Sequence, residues 1–114
     1  TTEEGYQIHA ELEKHCKVFF ELDTYWTFVA KLDPIATMER LGDRIRCIHL
    51  KDGSVDGKGC SLGSGEAPVA AVRKKAIESG YGIVVESEGL EPTGCEEVKR
   101  CIDYLKSLDA ADNK

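Results

Sequence analysis

Three short apolar runs punctuate the chain, and each closes on ionisable groups: Lys17 to Asp23 (KVFFELD), Arg46 to Lys51 (RCIHLK) and Gly82 to Glu86 (GIVVE). Their length and their branched and aromatic content predict strands buried on both faces. The intervals between them carry helical periodicity and helix punctuation. Asp33-Pro34 reads as an N-cap with proline at the first helical position, and Gly42 stops that helix before the second strand. Ala67 to Ser79 reads as a second helix closed by Gly80, and Thr93-Gly94-Cys95-Glu96 as a capping box opening a third. The apolar stripe predicted for that third helix is Val98, Cys101, Ile102, Leu105 and Leu108. An opening helix over about Glu3 to His15 carries Tyr6, Ile8 and Leu12. The order α-β-α-β-α-β-α predicts an α/β fold with parallel strands paired in sequence order through right-handed crossovers. One long connection, Asp52 to Glu66, is glycine-rich and reads as a loop.

Side-chain alternation assigns the faces. Phe19, Glu21 and Asp23 share one face of the first strand, with Val18, Phe20 and Leu22 opposite. Cys47, His49 and Lys51 are set against Ile48 and Leu50; Val84, Glu86 and Glu88 are set against Ile83 and Val85. Each strand thus turns an apolar face to the helices and brings a carboxylate or an imidazole to its C-terminal end, the end at which parallel α/β folds bind ligands. Taken singly, an aspartate at a strand end is a cap, and a histidine in an apolar strand is a core residue. Three such groups on one rim, Asp23, His49 and Glu86, are more than strand ends reaching solvent would give. Glu21, one layer below Asp23, is expected in a buried pair. Asp52 points to the other face and is expected to cap a turn. His9 and His15 fall on the opening helix, away from the rim. Gly63-Ser64-Gly65 reads as a flexible lid in preference to a phosphate cradle, and Tyr25 and Trp26 as pocket wall or packing.

Composition narrows the classes. The chain has 114 residues, 41% hydrophobic and 32% charged, which suits one folded globular domain. A net charge of -6 without a basic cluster argues against a nucleic-acid partner. No apolar run approaches the ~20 residues of a membrane helix, and the polar start, Thr1 to Glu4, does not read as a signal peptide. The expected compartment is the cytoplasm. The five cysteines are odd in number and form no C-x-x-C pair, so they read as structural thiols and not as a zinc knuckle or a disulfide framework.

The segments ELDTYW (Glu21 to Trp26), Asp33-Pro34, RIRCIHLKD ending at Asp52, LGSGEAP (Leu62 to Pro68) and VVESE (Val84 to Glu88) occur in this order. Together they resemble the C-terminal half of the sugar phosphate isomerase/epimerase family, the xylose isomerase-like TIM barrels, from about Phe19 to Leu108. The resemblance implies that residues 1–114 are the last three βα units of a (β/α)8 barrel, incomplete in this chain. It implies that Asp23, His49 and Glu86 are three of four ligands to a divalent metal (Mn, Mg or Co). The fourth would be a glutamate from a strand preceding Thr1. It assigns catalysis to Glu86 and Lys51, and substrate binding to Trp26, Lys51 and Glu88. The family's ELGEG segment stands here as Ser61-Leu62-Gly63-Ser64-Gly65, without its acidic residues.

The activity implied is isomerisation or epimerisation of a sugar by proton transfer beside a carbonyl. A dehydratase or lyase acting on a keto-sugar or inosose would use the same constellation, and a non-catalytic α/β assembly module is the reading from a different class. A complete barrel takes ~250 residues, and three strands leave two open edges. The expected partners are therefore a sugar, and either the N-terminal half of the barrel or another copy of the chain. The fragment alone is expected to be inactive and to hold metal weakly, if at all.

Overall fold

The structure, a computed structural model, describes residues 10–88 and 91–112. After helical residues 10–15 the elements run β1 (Phe20–Asp23), α1 (Thr24–Val29), α2 (Pro34–Leu41), a 3-10 turn (Gly42–Arg44), β2 (Ile45–Leu50), β3 (Asp52–Gly53), β4 (Gly59–Cys60), α3 (Val69–Ser79), β5 (Gly82–Val85) and α4 (Gly94–Asp112). Strands β1, β2 and β5 pair in parallel in that order, as the alternation of elements predicts. They form an open three-stranded sheet, part of a TIM-barrel-like architecture, with no closed barrel among the described residues.

The helix-facing side of the sheet is the core. Leu22, Ile48 and Leu50 pack there with Ile45, Met38, Leu41, Leu62, Val69, Val72, Ala76 and Cys101. Ile48 and Leu50 are wholly buried, and burying a side chain of this kind stabilises by roughly 1.5–3 kcal/mol. The opposite face is open, leaving Phe19 and Val84 exposed.

The helix ends follow the punctuation. Asp33 accepts the Ile35 amide at 2.9 Å, Pro34 opens α2, and Gly42 and Gly80 close α2 and α3 at positive φ. Thr93 accepts the Glu96 amide at 3.2 Å at the start of α4.

Five expectations change. The first strand begins at Phe20 and not Lys17, because its pairing register starts at Phe20↔Ile45. The Val18 carbonyl bonds instead to the Arg44 guanidinium, which also reaches the carbonyls of Glu13 and Cys16 before it. The residues after Asp23, left without an element by the sequence pattern, form the short helix α1, capped by Asp23 itself. The Asp52–Glu66 connection contains the β3–β4 hairpin, with Asp52↔Cys60 in register. Helix α3 starts at Val69 because Pro68 disfavours helical backbone at Ala67, whose amide bonds to Asp52. On α4 the buried positions are Glu97 and Cys101, with Tyr104 and Leu105 packed on the core, whereas Val98 and Ile102 are exposed. The packed face is thus rotated from the predicted stripe, and a buried carboxylate sits where an apolar residue was expected. Of the opening helix, residues 1–9, including Tyr6, Ile8 and His9, lie outside the described residues; His15 is exposed and pairs with Glu11.

A salt bridge locks two helices behind the sheet. Arg73 of α3, 6% exposed, reaches Asp109 and Asp112 of α4. The hydrogen bond to Asp112 holds its guanidinium more firmly protonated than usual, against a desolvation cost.

Candidate functional site

Parallel register sets the site. Asp23 lies beside His49, and Glu21 beside Cys47, on the open face of the sheet. His49 lies beside Val84, which places Glu86 one rung further along the same face. Ligand atoms of Asp23, His49 and Glu86 all fall within 4.8 Å of one another. With Glu21 they line a cavity of about 390 Å³. A second cavity of about 470 Å³, between Arg44 and residues 13–19, lies at the other end of β1 and gathers no comparable set.

Each group in the set is held. Asp23 Oδ1 accepts the Trp26 amide at 2.9 Å as the cap of α1, and its other oxygen makes no hydrogen bond among the described residues. The capping role and the rim position therefore coexist in one carboxylate. His49 Nδ1 lies 2.6 Å from Glu86 Oε2, and its Nε2 bonds to Glu21 Oε1. The bonds to Glu86 and then Glu21 raise the imidazole pKa above its ordinary value, against a lowering by burial. Three carboxylates around one imidazole make a site that favours a positive charge. A divalent cation with a taste for oxygen and nitrogen (Mn, Mg or Co) matches that donor set better than a thiolate-type zinc site would.

Glu21 departs from expectation. It was predicted in a buried pair, but its side chain is 58% exposed and faces the same cavity as the triad. Its parity with Asp23 was the available signal. A buried pair needs the layer below the rim to be covered, whereas the open sheet leaves it accessible.

Beside the triad, Lys51 Nζ bonds to Glu88 Oε1 at 2.5 Å and lies 5.1 Å from the centre of the Trp26 ring. The Lys51 side chain is 1% exposed and that of Glu88 59%, so the ammonium sits beneath the surface and the carboxylate caps it. Trp26 is 43% exposed at the rim. Tyr25 is packing: it is fully buried, and its hydroxyl donates to the Ser54 carbonyl at 2.8 Å, anchoring the hairpin loop.

Asp52 does far more than cap a turn. It is 1% exposed, and its carboxylate accepts amides from Gly53 (2.8 Å), Ala67 (3.2 Å), Gly63 (2.9 Å) and Gly65 (3.0 Å). Of the amides that would have formed a phosphate cradle, those of Gly63 and Gly65 are thus filled by the chain's own carboxylate, and that of Ser64 donates to the Ser61 carbonyl. The segment is tied down to a buried group, which corrects the expectation of a free lid. Gly65 is required there, since a Cβ would collide with the Asp52 carboxylate and the Gly53 backbone.

Glu97 secures the end of β5. It is 4% exposed, accepts the hydroxyls of Ser61 and of Ser87 (3.0 Å), and lies beside Arg100. The Ser61 bond leads in holding its carboxyl below the ordinary glutamate pKa. A carboxyl depressed in the native state contributes stability that is full above its ordinary pKa and is lost as pH falls through the native value. Glu97→Gln is therefore expected to lower stability at pH 7 by about 1–2 kcal/mol and to weaken the acid-side fall in stability. Urea midpoints at pH 7 and pH 3 check this; an identical pH dependence in parent and variant would refute it.

No protein-family profile matches the chain, and no curated protein matches it. Solved structures do. Two crystal structures of sugar phosphate isomerase/epimerase from Parabacteroides distasonis ATCC 8503 superpose on it with TM-scores of 0.61 and 0.65, each at 36% sequence identity over 77% of this chain. The chain spans about 30% of the length of each of those proteins. Among the described residues no helix is long and apolar enough to cross a membrane.

Proposed function

Because the chain belongs to the sugar phosphate isomerase/epimerase family as a partial barrel, we propose that it carries the metal-binding rim of a divalent-metal-dependent sugar isomerase or epimerase. The observation that supports this reading most is the convergence of Asp23, His49 and Glu86 within 4.8 Å at the C-terminal ends of three parallel strands. Asp23, His49 and Glu86 would hold Mn, Mg or Co. When bound, such an ion polarises a sugar carbonyl and its neighbouring hydroxyl and stabilises the charge that develops as a proton leaves.

The chain's own residues have distinct tasks in this reading. Glu86 takes the proton from the carbon beside the carbonyl. Return of a proton to the opposite side of that carbon inverts it, and delivery to the adjoining carbon moves the carbonyl. The acid on the far side, like a fourth ligand, comes from the rest of the barrel. Lys51 supplies positive charge beneath the reacting oxygens and holds Glu88, whose exposed carboxylate grips a sugar hydroxyl. Trp26 forms the wall above Lys51.

The test is incubation of the full-length protein, with the rest of the barrel present, with Mn²⁺ and a panel of ketoses and keto-sugars in D₂O. Metal-dependent deuterium uptake beside the carbonyl, without loss of water, is the expected result. Loss of water would point to the dehydratase reading, and no exchange with any sugar would count against catalysis. On the same assay Lys51→Met is expected to lower kcat about 100-fold while leaving Mn²⁺ affinity unchanged by calorimetry; a parallel loss of affinity would mean that Lys51 supports the metal site instead.

A further inference from the structure

Glu21 lies outside the set of converging ligand atoms yet bonds directly to one member of it. The two nitrogens of His49 are divided between two carboxylates: Nδ1 faces Glu86 Oε2 at 2.6 Å, and Nε2 faces Glu21 Oε1. A neutral imidazole has one N–H and one lone pair, and an ionised carboxylate can only accept. Nδ1 is the nitrogen turned toward Glu86, a member of the converging set, and it can bind a cation held by Glu86 only through a lone pair. The proton must then stay on Nε2, where Glu21 waits to accept it.

From this geometry we infer that Glu21 is a positioning residue, which accepts the proton at Nε2 and so leaves the Nδ1 lone pair free for a cation held with Glu86. The inference rests on the metal-dependent reading above. The backbone supports it independently: Glu21 and Asp23 stand two residues apart on one strand, next to Cys47 and His49 on the other. One strand therefore supplies both a carboxylate for the cation and a carboxylate for the histidine that faces it. Such outer partners fix ring orientation and raise ligand basicity, and removing one commonly lowers metal affinity by about 10- to 100-fold.

The experiment uses the full-length protein, with the rest of the barrel present, ¹⁵N-labelled at histidine, with Glu21→Ala, Glu21→Gln and His49→Ala. In the metal-free protein, at a pH where the ring is neutral and both nitrogens face a carboxylate, nitrogen shifts are expected to report both N–H forms in the parent and mainly the Nδ1–H form in Glu21→Ala, where Glu86 is the remaining acceptor. Glu21→Gln, which keeps an accepting oxygen, is expected to retain more of the Nε2–H form. Calorimetric titration with Mn²⁺ is expected to find affinity lowered about 10- to 100-fold in Glu21→Ala and less in Glu21→Gln. An unchanged nitrogen spectrum in Glu21→Ala would overturn the inference, whatever the metal does. If instead His49→Ala binds Mn²⁺ like the parent, the metal reading fails by itself, and the nitrogen spectra still decide what Glu21 does to the ring.

Discussion

Asp52→Asn is expected to destabilise the protein by about 3–5 kcal/mol, because one side of a carboxylate that serves four amides becomes an NH₂ group. The Oδ2 oxygen accepts from Gly63 and Gly65, and Oδ1 from Gly53 and Ala67. In the amide, whichever pair meets nitrogen loses its acceptor and faces another donor. Hydrogen bonds to a charged group contribute about 1.5–3 kcal/mol each, and total stabilities run to only about 5–15 kcal/mol. Burial makes the loss worse, since water cannot substitute at a residue 1% exposed. Urea denaturation measures the total, and amide exchange at Gly63, Gly65 and Ala67 localises it. Loss below about 1 kcal/mol with protection intact would mean that the hub is replaceable.

The second large effect is at the rim. His49→Ala is expected to lower Mn²⁺ affinity by at least about 100-fold, since removing even an outer partner of a ligand commonly lowers it 10- to 100-fold. Activity should fall with it, because the charge-stabilising ion would be lost. Glu86→Gln should behave differently: weaker metal binding and a larger loss of turnover than metal saturation can restore, since an amide cannot accept the proton. Calorimetry and rate measurements at saturating Mn²⁺ separate the two. Full recovery of Glu86→Gln by added metal would remove Glu86 from proton transfer.

Much of this arrangement was legible in the residues because it depends on local periodicity. Strict alternation put Asp23, His49 and Glu86 on one face, and the parallel register carries them together. Helix ends were legible at Asp33-Pro34, Gly42 and Gly80, where cap chemistry needs only the chain nearby. What escaped depends on partners distant in sequence. Residues 17–19 look like strand, but the distant Arg44 takes the Val18 carbonyl and those of Glu13 and Cys16 just before it. Asp52 looks like any turn aspartate until residues 63–67 fold back onto it. Glu97 is a buried carboxylate because Ser61 and Ser87, from two other segments, donate to it. Glu21 was misplaced for a related reason: whether its layer is buried depends on what covers the open face of the sheet.

Pulsed EPR of Mn²⁺ bound to the full-length protein, with the rest of the barrel present, tests the central claim, that Asp23, His49 and Glu86 hold a divalent ion. The account predicts one bound Mn²⁺ with nitrogen coupling from a single imidazole, abolished in His49→Ala. Bound manganese with no nitrogen coupling, or with coupling that survives His49→Ala, would contradict it.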